Sequence, residues 1–301
     1  MEGSPIRSRP PFNPLFALTA GILAISTGAI FARLADAPAL VIAAYRVGLA
    51  TLLLAPVALI GCRSELRRLS LKDLRLALLS GAFLAGHFAA WISSLDYTSV
   101  ANSVVLVNTN PLWVGLLTPL VAKEPVRRKT VVGIGLSVAG GVLIGAGDFA
   151  AGGTALLGDG LALVGSLCAA AYILLGRTLR QKLSLTAYIL LCYGSAAAVL
   201  WTVVFAAGLP VAGFSPGTWA AFWAMAVVAQ LIGHTSFNWA LRWFSAGMIA
   251  VSLLGEPIGA TILAYLLFDE GLTLPKALGG LLILAAIWIA STAERPEPIK
   301  R

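Results

Sequence analysis

The stretch "SLLGEPIGATIL" (Ser252–Leu263) places a carboxylate and a proline side by side in an otherwise apolar run. A charge at the centre of a bilayer costs at least about 2.5–3.5 kcal/mol, and a proline removes a helix hydrogen bond and crowds the carbonyl four residues back. Glu256 can therefore do one of three things. Protonated, it can donate to a carbonyl freed by Pro257. Ionised, it can hold an ammonium group or take part in proton coupling. Permanently neutral, it can stitch two helices together. Arg46, within "AYRVGLATLLL", is the second deep charge. Its guanidinium fork matches a substrate carboxylate, and the plainer alternative is a clamp on helix-end carbonyls. His87 and His234 titrate near neutral pH and are candidates for gating or relaying a proton, set against a packing role.

Asn108, Asn110, Gln230 and Asn238 (with Asn102) add neutral donors and acceptors, equally well explained by hydrogen bonding between helices. Asn108 and Asn110 are two positions apart and cannot share one helix face, so only one of them is expected to point inward. Trp91 and Trp113 offer an aromatic wall for a substrate, whereas Trp219, Trp223, Trp239 and Trp243 sit near the ends of apolar runs and read as interfacial anchors. The sequence lacks a Walker motif, HExxH, GxSxG and any metal-like Cys/His spacing, which argues against ATP drive, an enzyme, a metal site or a cofactor. Cys62, Cys168 and Cys192 imply no disulfide framework.

These residues need elements to hold them. Of 301 residues, 59% are hydrophobic and 11% charged, and the mean hydropathy is +0.91; soluble cores could not hide that much apolar surface. The net charge of +8 comes from short loops between apolar runs, which reads as a topology signal rather than a nucleic-acid face. Ten runs are long enough to cross, at about 14–32, 38–61, 74–95, 100–121, 129–147, 155–176, 185–208, 217–239, 246–268 and 275–292. They must be helices, because lipid offers backbone groups no water. Eighteen Lys and Arg fall on one side of this scheme and only Arg33 and Lys276 on the other. That bias predicts cytoplasmic tails at 1–13 and 293–301 and an even number of spans.

Sliding the chain against itself by 146 positions sets "NPLWVGLLTPLVAKE" (Asn110–Glu124) on "EPIGATILAYLLFDE" (Glu256–Glu270). Ser99/Ser245, Pro111/Pro257, Glu124/Glu270 and Gly133/Gly279 coincide. Two five-span halves, 14–147 and 155–292, would enter the membrane from opposite sides as an inverted repeat, a recurring plan of secondary transporters. Pro111 and Pro257 then mark an interrupted helix in each half.

In these features the chain resembles the EamA-type transporters of the drug/metabolite transporter superfamily over essentially its whole length. The Arg in span two, the prolines in spans four and nine and the Glu-Pro pair carry the resemblance. It implies an all-α membrane protein of ten helices around a central cavity lined mostly by spans three, four, eight and nine. It also implies movement of small organic solutes across a bacterial cytoplasmic (inner) membrane. One departure is Asn110 where the second half has Glu256. Arg46 and Glu256 together favour export of amino acids, aromatic ones included, or similar metabolites by alternating access. Lipophilic cations expelled as drugs are the alternative substrates, and a passive channel or a non-transporting subunit the alternative class. The partners expected are a small-molecule substrate, the bilayer and coupled protons, with no nucleic acid; oligomeric state is open.

Overall fold

A computed structural model describes residues 10, 13–121, 125–145, 154–268 and 273–293. Most of the two expected tails and the side chain of Asn102 lie outside the described residues. In chain order the helices are α1 (Pro14–Ile25), α2 (Gly28–Leu34), α3 (Ala39–Gly61), α4 (Arg63–Arg67), α5 (Leu71–Ser94), α6 (Val100–Val107), α7 (Asn110–Val121), α8 (Arg128–Gly145), α9 (Ala155–Arg180) and α10 (Leu185–Ala206). Then follow α11 (Pro216–Ala224), a π-helix, π1 (Met225–His234), α12 (Thr235–Ala240), α13 (Ala246–Leu253), α14 (Gly255–Phe268) and α15 (Leu274–Ala293).

Small polar side chains start several of these helices. Asn13, Ser70, Ser184, Ser215 and Ser245 each accept a hydrogen bond from a first-turn amide, that of Leu15, Asp73, Ala187, Thr218 and Met248 respectively. Such caps satisfy donors that neither lipid nor the helix itself can.

Among the described residues, eight helical stretches are long and apolar enough to cross a bilayer: Pro14–Leu34, Ala39–Gly61, Leu71–Ser94, Ser103–Leu120, Ala155–Arg180, Leu185–Ala206, Pro216–Ala240 and Ala246–Leu267. Ala277–Ile289 is a shorter apolar helix. α8 covers the segment expected at 129–147 and packs along its length against α15. Large apolar side chains such as Phe16, Ile60, Leu120 and Trp288 are more than two-thirds exposed, as suits groups that meet hydrocarbon.

Three of the eight stretches are interrupted, and two interruptions follow from proline. α6 stops at Val107 and α13 at Leu253, in each case the residue four before a proline, Pro111 and Pro257. The ring of each proline obstructs that carbonyl, so the break falls where sterics require. The first stretch, expected as one helix over 14–32, instead breaks at Ser26-Thr27. No proline explains it. Ser26 and Thr27 both turn their hydroxyls back onto the preceding turn, at Ile22 O (2.8 Å) and Ala24 O (2.7 Å), which weakens the ladder there.

The strongest helix pairings are related by exchange of the two halves. α3–α10 and α8–α15 map onto themselves, α5–α9 onto α1 against π1 and α12, α5–α10 onto α3 against π1, and α6–α14 onto α13–α7. The broken helices thus cross with the first half of one against the second half of the other. Close approach needs glycine at several points, of which two bear on the breaks and the bundle. A Cβ on Gly81 would collide with the backbone carbonyl of Cys192, and one on Gly259 with the hydroxyl of Ser26. Gly259 lets the α14 break sit directly on the α1 break.

A candidate transport site where three broken helices meet

A cavity with about 580 Å³ of empty space, its open side included, lies between the α6–α7 and α13–α14 breaks. Its walls include Arg46, His87, Trp91, Asn108, Asn110 and Glu256, together with His234, Asn238, Tyr172 and Phe237.

Arg46 comes from the middle of α3 and is 1% exposed. Its Nε donates to Gln230 Oε1 at 2.9 Å, and its guanidinium lies 4.0 Å above the Phe88 ring and 5.8 Å from that of Trp91. A desolvated cation–π contact is worth about 2 kcal/mol, and a hydrogen bond to a charged group about 1.5–3 kcal/mol. Together these reduce the cost of burying the charge. One terminal nitrogen, Nη1, has no partner. The alternative in which Arg46 clamps helix-end carbonyls finds no support, since among the described residues its hydrogen-bonding partner is a side-chain amide.

On the opposite wall, Glu256 stands in the first turn of α14 and accepts from Asn108 Nδ2 at 3.3 Å. The same Asn108 nitrogen also donates to Val104 O (2.9 Å). Glu256 and Arg46 border one cavity, and among the described residues no ion pair joins them. Asn110 is 3% exposed and its Oδ1 is unpartnered. Asn108 and Asn110 both line the cavity, contrary to the expectation that only one would point inward. The reason is the break: α6 ends before Asn108 and α7 begins at Asn110, so helical spacing does not relate them.

The histidines also depart from expectation. The sequence puts His87 in the outer third of span three and His234 in the inner third of span eight, one near each mouth; in the structure their rings are 6.2 Å apart. α5 and the α11–π1–α12 stretch run antiparallel in the predicted topology, and helical side chains lean toward their own N-termini. The two rings are thereby carried toward one level. His87 is oriented by Gly165 O at 3.0 Å from its Nδ1. A carbonyl only accepts, so Nδ1 carries the proton and the neutral ring leaves Nε2 as an acceptor. The ring stacks on Trp91 at 6.0 Å and 6°.

Asn238 is tied on both sides, accepting from Tyr172 OH (2.7 Å) and donating to Tyr193 OH (3.0 Å). Gln230 stands behind Arg46 rather than on the cavity wall, and Trp113 is half-buried on α7 away from that wall. Spans two and six contribute to the lining through Arg46 and through Ala169, Tyr172 and Ile173, beyond the four spans expected. Tyr172, Phe88 and Tyr193 carry no sequence signal of their own, because a lone aromatic residue in an apolar run looks like packing. Among the outer tryptophans, Trp219 belongs to a cluster with Tyr45 and Phe222, while Trp223 is 44% exposed. Among the described residues no cluster of three or more potential metal ligands occurs.

A helical membrane protein with a polar cavity enclosed by apolar spans, their helices broken at its walls, is built to carry something polar through lipid. The model of the EamA-like transporter family matches residues 13–146 and again 156–292, so the chain belongs to that family of membrane transporters rather than to an enzyme family. The double match accords with the internal repeat. An uncharacterized transporter of Archaeoglobus fulgidus is 28% identical over 222 residues, covering 72% of this chain and 74% of that protein. The uncharacterized transporter YyaM of Bacillus subtilis is 24% identical over 235 residues, covering 76% and 75%. One crystal structure of a protein superposes with a TM-score of 0.76 at 18% identity, over 94% of this chain and 97% of the other, and so shares the fold.

Proposed function

We propose that this transporter exports small zwitterions, amino acids or close analogues, from the cytoplasm by alternating access. The observation that carries this reading is the pair of opposite charges on one small cavity, Arg46 and Glu256, that are not spent on each other. A guanidinium suits a carboxylate, and Glu256 with the unpartnered Oδ1 of Asn110 suits an ammonium group. Aromatic walls at Trp91, Tyr172 and Phe237 accommodate an apolar side chain. Lipophilic cations fit less well, because a buried positive charge on the same cavity repels them.

Purified protein in liposomes should give saturable uptake of an amino acid that is reduced by amidation of its carboxylate and by acetylation of its amine. Non-saturable flux would make it a channel, no flux a non-transporting subunit, and flux of lipophilic cations alone a drug exporter.

The architecture behind this reading is ten spans in two inverted halves, 14–147 and 155–292, with both termini cytoplasmic. The exchange symmetry of the packing and the charge bias support it. Reporter fusions after Gly61 and Lys129 are expected to behave as cytoplasmic, and fusions near Gly152 and Gly213 as external. A cytoplasmic signal at Gly152 would break the five-plus-five scheme.

A further inference from the structure

π1 runs for ten residues, Met225–His234, whereas π geometry is generally confined to single turns and concentrated at functional sites. Its consequence here is a change of phase. An α-helix turns 100° per residue, and i→i+5 bonding, at about 4.4 residues per turn, turns roughly 82°. Four π residues from Gln230 to His234 fall about 30° short of a full turn, and the four α residues on to Asn238 overshoot by about 40°. Gln230, His234 and Asn238 consequently lie within about 10° of one line, where an α-helix throughout would spread Gln230 and Asn238 by about 80°.

The register is held from outside the helix backbone. Thr235 Oγ1 donates to Gln230 O (3.3 Å) and bonds Tyr193 OH (3.2 Å), which ties this turn to α10. Gly233 lets Ile25, the last residue of α1, press on the same turn; a Cβ at 233 would approach Ile25 Cγ2 to 2.6 Å. The widened turn delivers Gln230, 0% exposed, to Arg46 Nε.

We infer that Gln230 is the positioning residue of the anion-binding pole: by engaging Nε while Phe88 supports the guanidinium face, it fixes which edge of Arg46 meets a substrate carboxylate, and so sets the preference for acids over neutral analogues. The inference rests on the zwitterion reading and goes beyond it by assigning selectivity to a residue that is not on the cavity wall. Nε engaged by an amide oxygen leaves the terminal nitrogens as the remaining donors, of which Nη1 is buried without a partner, and their direction follows from where Gln230 sits.

The experiment compares transport of an amino acid and its amide in liposomes. Gln230→Leu removes the acceptor at similar volume, and KM for the acid should rise about tenfold with Vmax and the amide little changed, the expected cost of one lost hydrogen bond to a charged group. Gln230→Glu keeps an acceptor at Nε but adds a negative charge that competes with the substrate carboxylate, so the acid-over-amide preference should fall further still. Wild-type acid-over-amide ratios in both variants would overturn the inference. So would equal losses for acid and amide, which describe a packing residue. A wild-type protein that does not distinguish acid from amide would instead overturn the zwitterion reading itself.

Discussion

Replacing Arg46 by lysine is expected to raise KM for acidic and zwitterionic substrates by ten- to a hundredfold while changing transport of the corresponding amides by less than threefold. Lysine keeps a charge but loses three things the structure shows. It has no Nε–H for Gln230 Oε1, no planar face for the Phe88 ring at 4.0 Å, and no paired terminal donors. A charge-assisted hydrogen bond is worth about 1.5–3 kcal/mol and a tenfold change in KM about 1.4 kcal/mol, which sets the expected range. Amides do not draw on the fork in the same way, so a loss shared equally between acids and amides would show that Arg46 only holds α3 to π1. The level of folded protein, checked by gel filtration in detergent, separates that outcome from simple failure to accumulate.

Much of this arrangement was legible in the sequence because charge and proline are costly in lipid. Arg46, Glu256, Pro111 and Pro257 stand out in runs where nothing requires them, and the structure brings all four to the cavity or the breaks that bound it. The positions of the breaks follow from proline sterics alone. The break at Ser26-Thr27 was hidden because serine and threonine are ordinary residues in membrane helices, and only their back-bonding and the contact with Gly259 reveal their role. The shared position of His87 and His234 was also illegible, since linear depth along a span ignores where a side chain leans. So was π1. "MAVVAQLIGH" has no proline, and the bonds that settle its register come from Tyr193 and Thr235, which are distant from Gln230 in pattern if not in space. Asn108 and Asn110 both face the cavity because the helix-face rule does not hold across the break ahead of Pro111.

Changing Glu256 to glutamine is expected to abolish proton-dependent transport, by at least about tenfold, while leaving insertion and fold intact. Glutamine has the shape of the neutral acid, and its Oε1 can accept from Asn108 Nδ2 as the carboxylate oxygen does at 3.3 Å. The contact of Ser26 Oγ with the Glu256 backbone carbonyl (3.5 Å) does not involve the side chain and should survive. What is removed is the ability to ionise. The matching position in the first half is Asn110, which cannot ionise, so Glu256 is the single carboxylate on the cavity wall among the described residues. Arg46, His87, His234 and Tyr172 are the other titratable groups on that wall, and none of them supplies a negative charge for an ammonium group near neutral pH. Imposing a pH gradient across liposomes and measuring the rate at several internal pH values reads the effect directly. Wild-type rates with an unchanged pH profile would leave Glu256 as a neutral stitch from α14 to Asn108, and the proton, if one moves, would have to travel by way of the two histidines.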